Sequence, residues 1–352
     1  MNVLKYNFDE VVNRQGTNSV KWDNLKEVYG RDDILPMWIA DMDFKAPPEV
    51  LEALKAKLDH GVFGYNVKSD SLYNSIINWV KKRYNWDIKK EWISFTPGVV
   101  AALNIAVKEF AKEDETVVIQ PPVYPPFFRV LDNNNIQPNL NPLIHNGDKF
   151  VMDYDSLENS LDNKTKAIIL CNPHNPVGRV WTKEELSKLG EICLKNNMII
   201  ISDEIHGELT YKGHKTTPMA SISPELEQNT ITFMAPSKTF NIAGLATSIA
   251  IIPNEDLRKT FERGIEKLEI GKVTTFGSTA LEAAYSKGEE WLDQALVYIE
   301  DNADFTIEYI NKNIPEIKVE KPEGTYLLWL DFKSLNKSVE EIHNALVNIG
   351  KV

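Results

Sequence analysis

The segment 235–245, Ala-Pro-Ser-Lys-Thr-Phe-Asn-Ile-Ala-Gly-Leu, follows a strand-like apolar run at 229–234 and presents one lysine, Lys238. Small residues and Gly244 allow a bound molecule to approach the backbone closely. A lysine amine presented at the end of a strand can form a Schiff base with a carbonyl cofactor such as pyridoxal 5'-phosphate (PLP). Taken alone, the segment is equally compatible with a solvated surface lysine, so the rest of the chain has to decide.

Short apolar runs alternate with helical stretches on both sides of this segment, for example the predicted helices 99–111 and 183–196. Continuous apolar runs are typical of strands that are buried on both faces. The alternation predicts an α/β fold with a mostly parallel, doubly wound sheet. The active site of such a sheet lies beyond the carboxyl ends of its strands. The predicted strands are 92–96, 116–120, 166–171, 198–203, 230–234 and 248–252.

The pattern changes after residue 275. Two amphipathic helices, 279–286 and 289–313, precede a β segment at 317–331 and a last helix at 338–347. We predict a large domain over residues 46–275, which would bind the cofactor. A smaller α+β domain would be formed by residues 1–45 together with 276–352.

The composition restricts the class of protein. The 352 residues are 43% hydrophobic, which suffices for a large core and two domains. The net charge of -12 and the lack of a basic stretch argue against nucleic acid as a partner. No apolar leader and no run of roughly 20 apolar residues is present, which argues against export and a membrane. Cys171 and Cys193 lie in apolar surroundings and are expected to be reduced, so we expect a cytoplasmic protein.

Two strand ends offer groups that suit a phosphorylated cofactor. Gly98 opens a predicted helix, and the first N–H groups of a helix bind phosphate without a charged side chain. A plain strand–helix turn would look much the same. Asp203 ends the buried run 198–203, where a carboxylate is costly unless it is paired. A protonated pyridine nitrogen would pair it, as would a salt bridge or a helix cap.

Metal binding by Asp203, Glu204 and His206 is a further alternative. Consecutive residues of a strand point to opposite faces, which disfavours a shared ligand set. No standard metal-ligand spacing occurs in the chain. We therefore predict no metal site.

Three loops add candidate contacts to the cofactor. Two Asn-Pro pairs at 172–176 fix a rigid turn, in which Asn175 could donate its amide to a phenolate-type oxygen. Tyr124 lies in a proline-rich frame and could stack on a flat ring. Tyr65, in the turn 63–66, could hydrogen-bond a phosphate. Each loop also has a purely structural interpretation, as a rigid turn or as a packed aromatic.

Together these residues resemble the fold-type I PLP enzymes, the class I/II aminotransferase superfamily. The glycine helix start, Tyr124, the 175–178 turn, Asp203 and Ser237-Lys238 occur in the family's order over nearly the whole chain. Within the superfamily the chain is most similar to the cystathionine β-lyase-like C–S lyases (the MalY/PatB group). The segments that carry this closer resemblance are 37–44 (MWIADMDF), 203–206 (DEIH) and 324–332 (GTYLLWLDF).

The resemblance implies a role for each candidate residue. Lys238 and Tyr124 would be the catalytic residues, with Lys238 holding PLP and Tyr124 lying against its ring. Asp203 would face the pyridine nitrogen, with Asn175 and His206 near the phenolic oxygen. The phosphate would be bound by Gly98, Val99, Val100 and Ser237, and by Tyr65 of the neighbouring subunit in a homodimer.

Two positions differ from ordinary aminotransferases, which usually have tyrosine at the place of His206 and a phosphate-binding arginine at the place of Ala246.

Members of the family also usually continue for a few dozen residues beyond the position of Val352, and that tail carries the arginine that binds the substrate carboxylate. The resemblance therefore implies that PLP binding is retained, while catalysis is expected to be affected.

The sequence leaves several functions open. The first hypothesis is a PLP-dependent C–S β-lyase that converts cystathionine- or cysteine-type substrates to thiol, pyruvate and ammonia. The second is an aminotransferase on the same scaffold, and the third is a PLP-binding or regulatory protein with impaired catalysis. A nicotinamide-dependent dehydrogenase is disfavoured because no GxGxxG follows a strand.

Overall fold

The computed structural model describes residues 5–352 and is built around a seven-stranded sheet. Its strand order is β1-β9-β8-β7-β6-β2-β3, and only β9 runs against its neighbours. The predicted mostly parallel, doubly wound sheet is confirmed. The strands are β1 Ile93–Thr96, β2 Thr116–Ile119, β3 Gln137–Leu140, β4 Ile144–His145, β5 Phe150–Val151, β6 Thr165–Cys171, β7 Ile199–Asp203, β8 Thr230–Met234, β9 Ser248–Ile251, β10 Lys318–Val319 and β11 Leu330–Asp331.

Helices cover both faces of the sheet and form the C-terminal part of the chain. They are α1 Val20–Asp23, α2 Leu25–Tyr29, α3 Pro48–His60, α4 Asp70–Tyr84, α5 Val99–Phe110, α6 Pro126–Asn133, α7 Tyr154–Ser160, α8 Lys183–Lys195, α9 Pro224–Asn229, α10 Pro236–Thr239, α11 Glu255–Lys267, α12 Thr275–Lys287, α13 Glu289–Asn313 and α14 Val339–Asn344. A π-helical segment, Ala345–Gly350, follows α14 directly.

Alternation of side chains along the central strands explains why these strands read as continuous apolar runs. Val117 and Ile119 of β2 pack into the core beneath α5 and α6, whereas Val118 packs into the core beneath α8. Both faces are therefore buried, as expected for strands with helices on either side. A third core joins α3, α4, α12 and α13 to the segment around Met42.

Strand β3 escaped prediction because it is an exposed edge. Its sequence, Gln-Pro-Asn-Leu, is polar, and its side chains are almost all exposed. Pro138 is tolerated because an edge strand has one side that needs no hydrogen bonds. The hairpin of β4 and β5 has only two residues per strand and carries no periodic pattern.

The helices predicted after residue 275 are present, but the bounds of one helix and the extent of the β segment were wrong. Helix α12 begins at Thr275 and not at 279, because the Thr274 side chain caps it by accepting a hydrogen bond from the Gly277 N–H. The predicted continuous β segment 317–331 is wrong, because only β10 and β11 at its two ends pair with each other. Between them, backbone groups bond to the body of the protein instead: the Thr325 N–H donates to the Leu209 carbonyl at 2.7 Å.

A buried ion pair fastens this segment to the body. Glu323 accepts hydrogen bonds from Arg179 Nε and from the Val180 N–H, each at 2.8 Å. The Arg179 side chain is buried and is also paired with Glu185 at 2.8 Å. Removing one partner of a buried pair leaves a charge without compensation, which costs far more than the loss of an exposed pair.

We expect Glu323→Ala to lower the free energy of unfolding by about 3 kcal/mol, because Arg179 stays buried with fewer acceptors. Denaturant unfolding of the full chain measures this. Glu320→Ala is the matched control, since it removes a half-exposed pair with His145 and should cost less than about 1 kcal/mol. Equal decreases in the free energy of unfolding in the two variants would contradict the role assigned to Glu323.

Candidate active site

The strand ends at one edge of the sheet surround a cavity of about 390 Å³. Cys171 and Asp203 are register partners at the ends of β6 and β7, so the 172–176 turn starts beside Asp203. Strand β8 leads into the segment with Lys238, and β1 leads into Gly98. The predicted site residues that line the cavity are Gly98, Val99, Val100, Tyr124, Asn175, Asp203, His206, Ser237 and Lys238.

Lys238 lies in the short helix α10 and is half-buried. Its Nζ donates a hydrogen bond to the Ala40 carbonyl oxygen at 2.6 Å. Burial lowers the pKa of Lys238, and the negative charges of Asp41 and Asp203 oppose that shift. A lysine with a lowered pKa is a better nucleophile and base near neutral pH.

Asp203 is a buried carboxyl group without a cationic partner. Burial raises its pKa to about 7, while the hydrogen bond from the Ile205 N–H, at 3.1 Å, and the charge of Lys238 lower it. Within residues 5–352 no Lys, Arg or His nitrogen lies within 4.0 Å of it. The ionised form of a carboxyl group in this setting is stabilised by a cation that enters the cavity, for example a protonated aromatic nitrogen.

The amino end of α5 forms the opposite wall of the cavity. No side chain caps this 12-residue helix, and a Cβ added at Gly98 would meet no protein atom within 4 Å. The buried Thr247 hydroxyl also lines the cavity and has no hydrogen-bond partner. Open N–H groups at a helix start together with an unpaired hydroxyl suit a phosphate.

The remaining walls are aromatic and polar. Tyr124 is half-buried, and burial raises its pKa. Burial and the charge of Lys238 lower the pKa of His206 to about 3, so its imidazole is neutral, and its Nδ1 has no partner. The Asn175 backbone N–H donates to Cys171 Sγ at 3.3 Å.

Tyr65 is the one predicted site residue that does not line this cavity. Its side chain is fully exposed. The adjacent Asn66 ties the loop to the start of α12, through bonds to the Val273 carbonyl and to Ser278 and Thr275. The loop is therefore anchored on its own chain while Tyr65 projects from it.

The alternative of a metal site finds no geometric support. Asp203 and His206 line the cavity, but Glu204 Oε1 accepts hydrogen bonds from Ser202 Oγ and the Met219 N–H elsewhere. Over residues 5–352 there is no group of three or more His, Cys, Asp or Glu side chains placed to hold a metal ion. In the same residues no helix is long and apolar enough to cross a membrane.

Sequence reasoning missed three contributors to the site. Ala40 contributes a backbone carbonyl, which no side-chain pattern reveals. Thr247 is a single hydroxyl at the start of β9 with no motif around it. The Tyr326 hydroxyl donates to the Ala40 carbonyl at 2.8 Å. In the sequence it stood out only as part of the 324–332 segment. No arginine of residues 5–352 lines the cavity.

Comparison with known proteins identifies the family. The family model for aminotransferase class I and II matches residues 32–352. The chain belongs to this family. Cystathionine beta-lyase PatB of Bacillus subtilis (strain 168) is 44% identical over 347 residues, which cover 98% of this chain and 90% of that protein.

Two solved structures extend the likeness to three dimensions. A PLP-bound protein from Clostridium difficile 630 is 50% identical with a TM-score of 0.97, over 99% of this chain and 90% of that one. The PLP-bound C–S lyase from Staphylococcus hominis is 35% identical with a TM-score of 0.92, over 99% of this chain and 88% of that one. The fold is therefore that of the fold-type I PLP enzymes, as the motifs predicted.

The burial of Asp203 predicts a pH-dependent stability. Its pKa is near 7 in the folded chain and near 3.8 in the unfolded chain, so the unfolded chain loses its proton first as the pH rises. Without cofactor, Asp203→Asn should therefore stabilise the full chain at pH 8 by about 2–4 kcal/mol, and the gain should shrink toward pH 5.

Thermal unfolding of cofactor-free protein between pH 5 and 8 measures this difference. Asp301→Asn is the control, because Asp301 is exposed on α13. A variant at Asp203 that is no more stable than the parent at pH 8 would show that the carboxyl is compensated by a group other than those named here.

Proposed function

We propose that this chain is a PLP-dependent C–S β-lyase, which cleaves cystathionine- or cysteine-type substrates to a thiol, pyruvate and ammonia. One observation carries the proposal: Lys238, the unpaired Asp203 and the open start of α5 face one cavity. The family and the 44% identity to a cystathionine beta-lyase give the reaction class.

The residues present fit PLP. Lys238 would bind its aldehyde carbon, and Asp203 would accept a hydrogen bond from its pyridine nitrogen. The N–H groups at the start of α5, Ser237 and the unpaired Thr247 hydroxyl would hold the phosphate. When bound, PLP supplies an electron sink for the bonding electrons released at the substrate's α-carbon.

Lys238 would have a second role once its amine is free. Its freed amine would remove the α-proton as a general base. The C–S bond at the β-carbon then breaks, and the sulfur leaves with the bonding electrons as a thiolate. Addition of water to the remaining fragment releases pyruvate and ammonia.

The other walls orient the reactants and exclude water. Tyr124 would lie against the flat ring, and Asn175 would donate to its phenolic oxygen. His206 is neutral and buried, so it can offer a hydrogen bond without placing a second positive charge beside Lys238.

Lys238→Ala should remove the absorbance band that depends on covalent attachment of PLP to Lys238, and should reduce pyruvate formation from L-cystathionine by at least about a hundredfold, because the attachment point and the base are lost together. Lys272→Ala, which removes an exposed amine, should behave like the parent. An unchanged visible spectrum for Lys238→Ala would refute the assignment of this lysine.

An aminotransferase is the second candidate, since family membership alone is compatible with it. The two reactions separate cleanly in one assay. Pyruvate and free thiol that appear without an added 2-oxo acid identify the lyase. Turnover that requires a 2-oxo acid, with the amino group recovered on it, identifies the aminotransferase and overturns the proposal.

We also propose that two copies of the chain form a cytoplasmic homodimer with shared active sites. Val62, Phe63, Tyr65 and Val67 expose large apolar surfaces in one anchored loop, which is typical of a surface covered by a partner. Tyr65 would reach the phosphate in the site of the partner copy. The acidic net charge and two buried, free cysteines support the cytoplasm.

Hybrid dimers test this sharing. Tyr65→Ala and Lys238→Ala chains should each be nearly inactive alone, and dissociating and reassociating a mixture should recover about a quarter of the parent activity. Recovery arises because half of the dimers would contain one site with both native residues. If each site were built from one chain, mixing would restore nothing.

A further inference from the structure

The three segments that carry the closer resemblance to the C–S lyases meet beside Lys238. These are 37–44, 203–206 and 324–332, which contribute Ala40, His206 and Tyr326. The Ala40 carbonyl oxygen accepts a hydrogen bond from Lys238 Nζ at 2.6 Å and one from the Tyr326 hydroxyl at 2.8 Å. The Tyr326 ring packs edge-on against the His206 ring, with centroids 5.7 Å apart.

The backbone before Tyr326 is held in an unfavourable conformation. Thr325 is β-branched and fully buried, yet its φ is +69°. Such a conformation is costly for a β-branched residue and persists only where surrounding contacts impose it. Here the Thr325 N–H donates to the Leu209 carbonyl at 2.7 Å, and a Cβ added at Gly324 would lie 2.5 Å from the same oxygen. These contacts fix the direction in which Tyr326 leaves the backbone.

The segment that follows Ala40 is fixed by contacts that do not involve Tyr326. Arg14 binds both carboxylate oxygens of Asp41, at 2.8 and 2.9 Å. The Asn241 amide donates to the carbonyls of Met42 and Phe44, at 2.8 and 2.7 Å. In the peptide that joins Ala40 to Asp41, the Asp41 N–H donates to the Ile39 carbonyl at 2.9 Å, and the Tyr326 hydroxyl bonds to the Ala40 carbonyl at the opposite end of the same peptide.

We propose that Tyr326 is a positioning residue, whose hydroxyl fixes the Ala40 carbonyl as the hydrogen-bond acceptor for the Lys238 ammonium. The proposal rests on the function proposed above. When the freed amine takes the α-proton, the C–H bond breaks, an N–H bond forms and Nζ becomes positively charged. The Ala40 oxygen is then the acceptor that holds this charge close to the substrate until the proton is used.

Tyr326→Phe tests the role because it keeps the ring against His206 and removes only the hydroxyl. Tyr298→Phe is the matched control. It also deletes a tyrosine hydroxyl that bonds the N-terminal segment, in this case to Asp9 at 2.6 Å, but it leaves Ala40 untouched.

The first readout does not depend on the reaction. Acetic anhydride labels neutral amines, and mass spectrometry gives the rate at Lys238 in the full chain without cofactor. Tyr326→Phe should label several-fold faster than the parent and Tyr298→Phe, because the ammonium loses its fixed acceptor. Equal rates in the three proteins would overturn the proposal.

The second readout uses the PLP-loaded enzyme. For Tyr326→Phe we expect kcat to fall about tenfold, as for one lost hydrogen bond, with KM little changed. The isotope effect with α-deuterated substrate should rise, since proton transfer becomes slower. If a fall in the amount of bound cofactor or in Tm accounts for the whole loss of activity in Tyr326→Phe, the role of Tyr326 is merely structural and the proposal is overturned. A parent enzyme without lyase activity would refute the proposed function, and the labelling rates would still decide on Tyr326.

Discussion

A carboxyl group without a cation, at the end of a strand buried on both faces, is the constraint on which the rest of this structure depends. The Asp203 carboxyl group accepts one hydrogen bond, from the Ile205 N–H, and burial raises its pKa to about 7. An apolar side chain at this position would pack more favourably, so the arrangement is costly for the protein alone. The cost is offset when a cation occupies the cavity, and the same burial that makes the site costly strengthens that interaction.

The sheet turns this local constraint into a site. Parallel strands bring their carboxyl ends to one edge, so residues far apart in sequence meet there without special loops. Most of the predicted cofactor-binding residues lie at or just after strand ends and helix starts, whose positions are fixed by the buried core. The contacts to Lys238 come from elsewhere, from the N-terminal segment and from the 324–332 segment. The proposed cofactor attachment and proton transfer would therefore rely on parts of the chain with different degrees of burial.

Much of the fold was predictable because buried parallel strands are continuous apolar runs. The strands that end at Asp203 and Met234 were predicted to within one residue. The edge strand at Gln137 was missed because an exposed strand needs no apolar side chains. Side-chain candidates at the site were predictable from their motifs, but the Ala40 carbonyl was not, since a backbone acceptor leaves no mark in a sequence. The division into two domains stays a prediction, as does the role of each site residue toward the cofactor.

Strand β9, which alone runs antiparallel within the seven-stranded sheet, has a consequence for the dimensions of the site. Because β9 runs back along β8, with Ile249 opposite Met234, the chain between them leaves the edge and returns to it as one hairpin loop. That loop carries the proposed attachment point, Lys238, near one end and the unpaired hydroxyl of Thr247 at the other. In the proposed complex the two ends of this loop would hold the aldehyde carbon and the phosphate of one PLP molecule, so the pairing of β8 with β9 would set the spacing between these two contacts. A slip of one residue in the register would turn Thr247 to the other face and leave Lys238 in place, so in the proposed complex the strand register would decide whether both ends of one ligand are held.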